Sequence, residues 1–151
     1  MKRKAELAAE AWRSIFDFIV ATSAARNAAI GRAGLTPNDA RTLVTLSRDT
    51  GRTMGSLADE WRCDASTATW IVDRLAAKGL AARRPHPTDR RARLVVLTPL
   101  GARTRAAIVK ASYAPPKELL ELDLEDLKAL KDGAARLPIV RPALSDADQS
   151  T

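Results

Sequence analysis

Apolar positions return at helical spacing through most of the chain. In residues 4 to about 31, Leu7, Ala11, Ile15, Phe18 and Thr22 follow that spacing, flanked by Ala8, Trp12, Phe16 and Ile19. The spacing predicts one long helix. Its broad apolar arc needs cover on both flanks, from its own domain or from a second subunit. In the turn GLTPND, Thr36 is a cap, Pro37 suits the first helical position and Asp39 the first turn. A helix to about Asp49 is expected, with Ala40, Leu43, Val44 and Leu46 inward. Thr50-Gly51-Arg52 breaks the pattern, and Ser56 to Trp61 reads as a short helix with Leu57, Ala58 and Trp61 on its apolar side.

Asp64 opens the best-defined element, a helix over residues 65–78 with Ala68, Ile71, Val72 and Leu75 as its stripe. Gly79 fits the left-handed position after the cap, which lets Leu80 fold back onto Leu75. The opposite face carries Ser66, Trp70, Asp73, Arg74 and Ala77, with Thr67 and Thr69 on the flanks. Leu80–Arg84 and Arg93–Leu97 read as two short strands. The segment between them, Pro85 to Ala92, holds two prolines and is too polar for a helix, so it predicts a long basic hairpin tip.

Thr98-Pro99 starts another helix, running to about Ser112, and Ala114-Pro115-Pro116 interrupts it. A last helix begins at Asp123, with Leu122 able to staple onto Leu127, and Pro138 ends it; Leu127, Leu130, Ala134 and Leu137 form its stripe. The remainder, RPALSDADQST, is expected to be disordered. The fold class is mostly α (α+β). A short helix, a tight turn, a capped helix and a hairpin make a winged helix-turn-helix, with helices at both ends of the chain.

Length and composition fit that outline. The 151 residues, 46% hydrophobic, suffice for one compact domain plus interface helices. The single Cys63 excludes an internal disulfide framework and suits a reducing cytoplasm. It falls at the turn before the capped helix, where a small buried residue is wanted. Glu6, Glu10, Arg13 and Asp17 interrupt any signal-peptide core, and the uncharged run FIVATSAA is too short to span a bilayer, so no membrane role is expected. His86 stands between two prolines without a Cys/His cluster, which argues against a metal, and no catalytic constellation, phosphate loop or cofactor motif is visible.

Charge changes the picture more. Residues 41–110 hold 14 Lys and Arg against 6 Asp and Glu, whereas residues 111–151 hold 5 against 8. Arg83, Arg84, Arg90, Arg91 and Arg93 crowd the hairpin. Such a block is the footprint of a nucleic-acid binder: duplex DNA carries one negative charge per ~1.7 Å of axis, and a basic wing laid against it would be stabilised there.

The run LADEWRCDASTATWIVDRLAAKGLAARRPHPTDRRARLVVLTPLG, residues 57–101, resembles bacterial transcription factors of the multiple-antibiotic-resistance regulator (MarR) family. TDRRARLVVLTPLG is the most specific part, similar to that family's wing: an Asp-x-Arg turn, an apolar strand, then Leu-Thr and Gly. The resemblance implies a homodimer, with residues 1–34 and 99–140 as dimerisation helices, 35–98 as the winged helix-turn-helix and 141–151 as a disordered tail. It implies a cytoplasmic repressor of a palindromic DNA operator, released by a small phenolic or lipophilic effector. Carried over, Arg91 resembles the wing arginine that enters the minor groove, and Asp89 the carboxylate that orients it. Arg90 and Arg93 would meet phosphate, or Arg93 would support the hairpin; Arg84 joins this basic set. Ser66, Thr67, Thr69 and Arg74 match groove-facing or phosphate-facing positions of the recognition helix. Trp70 departs from the pattern, since many relatives carry arginine or another polar residue there. It packs on sugar or a thymine methyl, or tucks against the neighbouring helix. Trp12, Phe16 and Trp61 are candidates for an effector pocket, or plain interface and core residues. The alternatives are a non-specific architectural DNA-binding protein and a protein-interaction module on a winged-helix scaffold.

Overall fold

The N-terminal apolar arc forms helix rather than strand, in two pieces: α1 (Lys2–Ala21) and α2 (Ser23–Arg32). The computed structural model describes residues 2–89 and 91–138. The single long helix expected from the spacing is interrupted at Thr22, whose hydroxyl donates to the Phe18 carbonyl at 2.7 Å, while the Arg26 guanidinium donates to the Ile19 carbonyl. Side-chain bonding back onto the preceding turn competes with the helical ladder and bends it.

Gly34, with φ of 65°, turns the chain into α3 (Pro37–Leu43). A full capping box starts this helix, with the Asp39 N–H donating to Thr36 Oγ1 at 3.1 Å and the Thr36 N–H to Asp39 Oδ2 at 3.2 Å. The helix stops at Leu43, short of the expected Asp49. Thr45 and Leu46 donate their N–H groups to carbonyls three residues back, and the Thr42 and Thr45 hydroxyls bond to main-chain carbonyls as well. The stretch beyond Leu43 instead delivers the Ser47 carbonyl to the Leu97 N–H at 2.9 Å.

The apparent break at Thr50-Gly51-Arg52 holds the start of a strand that the sequence pattern misses, β1 (Arg52–Thr53), too short to show a period of two. Next come α4 (Met54–Trp61), α5 (Ala65–Ala77), β2 (Ala81–Pro85) and β3 (Arg93–Leu97). The sheet has the order β1-β3-β2 and is antiparallel throughout. A Cβ on Gly51 would lie 2.7 Å from Leu94 Cβ, so glycine lets the chain enter the sheet at β3. Both hydrogen bonds expected after α5 are present: the Leu80 N–H reaches the Leu75 carbonyl at 2.9 Å and the Gly79 N–H the Ala76 carbonyl at 2.8 Å.

Thr98 caps α6 (Pro99–Tyr113) as expected, a 3-10 turn follows at Lys117–Glu121, and α7 (Leu124–Ala134) starts from an Asp123 cap. The 3-10 turn is absent from the sequence reading, and α7 ends four residues before Pro138. The expected disordered tail 141–151 lies outside the described residues.

The core sits among α3, α4, α5, α6 and the sheet: Leu43, Leu46, Leu57, Val72, Leu75, Val95 and Leu97 are closed to solvent. By contrast α1, α2, the 3-10 turn and α7 bury no residue fully. Gly101 seats α6 against the hairpin. A Cβ there would fall 1.9 Å from the Leu80 carbonyl oxygen, while Thr98 donates its hydroxyl to the Gly79 carbonyl and its N–H to that of Leu80.

Candidate nucleic-acid interface

The exposed side of α5 begins at its cap. Asp64 Oδ1 accepts from the Thr67 N–H at 2.7 Å and from the Ser66 hydroxyl, and Oδ2 accepts from the Thr67 hydroxyl at 3.0 Å. These bonds, the Ser66 hydroxyl first, hold the Asp64 carboxyl at about 2, below its ordinary 3.8. The Thr69 hydroxyl donates to the Ala65 carbonyl at 2.8 Å. All three hydroxyl protons are therefore committed within the chain, and these side chains offer acceptor lone pairs outward.

One turn on, Trp70 is 55% exposed and does not tuck against a neighbouring helix. The Arg74 guanidinium carbon lies 4.4 Å from its ring centroid. Arg74 also donates through Nη2 to Asp39 Oδ2 at 2.6 Å, a carboxylate with a side chain 1% exposed. Arg74, expected at the groove or a phosphate, is thus held between a buried carboxylate and an aromatic face. Its partner Asp39 keeps the other oxygen, Oδ1, buried without a hydrogen bond. A second tie runs from Lys78 Nζ to the Gly34 carbonyl at 2.7 Å, so α5 is bonded twice to the segment that opens α3.

The hairpin is fixed to the same side of α5 by the Arg83–Asp73 ion pair at 2.7 Å. That pair accounts for one of the five crowded arginines. Arg84, Arg91 and Arg93 are exposed, and none enters an ion pair among the described residues. Register places Arg84 opposite Leu94 and Arg93 opposite Pro85, so the two arginines project from opposite faces of the hairpin. Asp89 accepts the Arg91 main-chain N–H at 2.9 Å: it orders the backbone of the tip instead of gripping the guanidinium. His86 Nδ1 accepts the N–H groups of Thr88 and Asp89 at 3.3 and 3.2 Å, a turn-forming role that the sequence reading missed. Arg90 lies outside the described residues.

The three candidates for an effector pocket do not meet. Trp12 and Phe16 pair on the open side of α1 with ring centroids 6.0 Å apart. Trp61 packs against the winged-helix core, its Nε1 donating to Thr45 Oγ1 at 2.9 Å. A cleft of about 360 Å3 does exist elsewhere, where the α1–α2 junction faces the end of α6 and Pro115-Pro116; Ala25, Arg26 and Ala111 help to line it. Cys63, expected buried, is half-buried. No group of three His, Cys, Asp or Glu suited to a metal occurs among the described residues, and no described helix is long and apolar enough to cross a membrane.

A capped helix presented beside a basic hairpin, on a three-stranded sheet and a helix-turn-helix core, defines a winged helix-turn-helix protein. Residues 33–92 match the model of the MarR family. That match spans the winged-helix segment of the chain and marks it as similar to the MarR family. The YusO protein from Bacillus subtilis superposes with a TM-score of 0.71 at 20% identity, covering 87% of this chain and 94% of that one. Apo MarR from E. coli gives 0.64 at 21% identity, covering 84% and 96%. MepR of S. aureus, in a structure of its DNA complex, gives 0.59 at 18% identity, covering 83% and 96%. No curated protein sequence matches the chain.

Proposed function

We propose that the chain acts as a homodimeric repressor that binds a pseudo-palindromic duplex operator and leaves it when a small phenolic or lipophilic molecule binds. The observation that carries this reading is the Arg83–Asp73 bridge, which ties the basic hairpin to the open face of α5. Recognition helices of a symmetric dimer enter successive major grooves about one helical turn (~10 bp) apart, and the wings flank them. Residues 1–34 and 99–140 supply the dimer contacts in this reading. Ser66, Thr67, Thr69 and Trp70 address the major groove, Arg91 the flanking minor groove, and Arg84, Arg90 and Arg93 the backbone. Asp89 and Arg74 act through the groups they hold. The MepR–DNA complex supports the DNA-binding mode. The effector enters where the α1–α2 junction leaves a cleft.

Selection of random duplex DNA by the purified protein at ~0.15 M salt tests the reading, since that salt weakens non-specific binding. An inverted repeat should be enriched. Binding without enrichment would favour the architectural alternative, and no binding the protein-interaction module. Within an enriched operator, Arg91→Ala should lower the salt slope of binding by about one. An unchanged slope and affinity would remove Arg91 from the interface.

A further inference from the structure

The geometry points to Trp70 as the base-reading residue of the recognition helix, addressing a thymine methyl group in the major groove. This rests on the proposed DNA-binding function and goes beyond it to the base that is read.

Guanine is read in the major groove by donors, commonly a bidentate arginine on O6 and N7. The nearest arginine, Arg74, has Nη2 on Asp39 at 2.6 Å and its plane against the Trp70 ring at 4.4 Å. Releasing it would strand Asp39, whose side chain is 1% exposed and whose Oδ1 already lacks a partner. The hydroxyls of Ser66, Thr67 and Thr69 have also spent their protons, on Asp64 and the Ala65 carbonyl. The open face of α5 therefore presents hydroxyl acceptors around one large, mostly apolar ring, whose indole N–H is the donor it carries.

Each base pair shows a distinct major-groove pattern, and only thymine shows an exposed methyl. An aromatic ring buries that methyl, while hydroxyl acceptors beside it suit amino groups of adenine or cytosine. Trp70 is 55% exposed before any partner arrives, so its apolar surface is available at no cost in unpacking. The stacked Arg74 fixes the ring's orientation, which makes Arg74 a positioning residue. A ring without it would pay more rotamer entropy on binding.

The test uses the full-length protein and the operator enriched by selection. Each thymine of the half-site is replaced singly by deoxyuridine, which removes only the methyl, and affinity is read by fluorescence anisotropy. One thymine in the groove filled by α5 should show a loss of about fourfold, the worth of one buried methyl-sized group. Trp70→Ala should abolish the dependence at that position alone, and Trp70→Phe should keep part of it. The exposure of Trp70 lets both variants fold, which circular dichroism verifies. A flat deoxyuridine scan on an enriched operator overturns the role of Trp70 and leaves the regulator reading standing. So does a Trp70→Ala variant that keeps the same methyl dependence. If no sequence is enriched, both readings fall together.

Discussion

The winged-helix region and the helical ends use apolar residues in opposite ways. Between Leu35 and Ile108 most large aliphatic side chains are closed off, with Leu43, Leu57, Val72, Leu75 and Val95 at zero exposure. On α1, the 3-10 turn and α7 the apolar residues lie open: Leu7, Phe16, Val20, Leu120 and Leu124 are each more than half exposed. Large exposed apolar residues gathered on helices at the two ends of a chain form a surface that calls for cover. The first region carries its own core, and the second has apolar faces that a second copy of the chain would close. Equal insults to the two should therefore have unequal consequences.

Gly101→Ala should be the most damaging. The added carbon falls within 2 Å of the Leu80 carbonyl oxygen, at 1.9 Å, and that atom is main chain in a turn already held by Thr98. Overpacking against backbone should cost about 3 kcal/mol, read as a lower midpoint in urea unfolding. A midpoint within error of the parent would show that α6 is free to slide on the hairpin, and would break the picture of a tightly seated region.

Arg74→Ala comes next. It removes the partner of a carboxylate buried in the same region, and loss of one member of such a pair is strongly destabilising. Because Arg74 is itself 30% exposed, water softens the loss, and about 2 kcal/mol is expected in the same experiment. Asp39→Asn with Arg74→Ala should recover part of it, since no unpaired charge is then buried. Failure of the double variant to recover would assign the loss to packing on Trp70.

Phe16→Asp sharpens the comparison from the other side. Phe16 is 51% exposed and packs chiefly on Trp12 of its own helix, so the winged-helix core should stay folded. Sedimentation should instead show the dimer shifting to monomer at micromolar concentration, through the loss of apolar contact and the burial of a charge. A variant that stays dimeric would place the cover of α1 elsewhere.

How much of this was legible in the sequence follows the same divide. Elements with chemical punctuation were read closely: the Thr36, Asp64, Thr98 and Asp123 caps all bond as their residue types demand, and Gly79 forms the expected turn. Elements whose ends depend on tertiary bonding were not. β1 exists because β3 lies beside it, and α3 stops early because threonine hydroxyls capture carbonyls. At the candidate site, α5 and the basic hairpin were readable as charge and spacing. The pairing of Arg74 with Asp39, 35 residues away, was not, because an arginine on an exposed helix face looks the same whether it meets DNA or a buried carboxylate. For the same reason, three aromatics pooled into one pocket on type alone separate into an open pair on α1 and a core tryptophan.

The smallest effect concerns the start of α5. Asp64 is held at about 2 against an ordinary 3.8, and the cause is donation by the Ser66 hydroxyl, the Thr67 N–H and the Thr67 hydroxyl. A carboxyl with a depressed folded value stabilises the fold above its unfolded value and loses that contribution as pH falls through the folded one. The cap should therefore be intact above about pH 4 and weaken as pH drops toward 2. Asp64 is fully exposed, so salt and solvent keep the energy small. The signal is local: the Thr67 amide resonance should titrate with a midpoint near 2, and Asp64→Asn should keep the helix start while abolishing the titration, since asparagine also caps. A midpoint at the ordinary 3.8 would mean that the three donors are not engaged. Ser66 and Thr67 would then have their hydroxyl protons free, and the α5 face would be able to donate to phosphates as well as accept from bases.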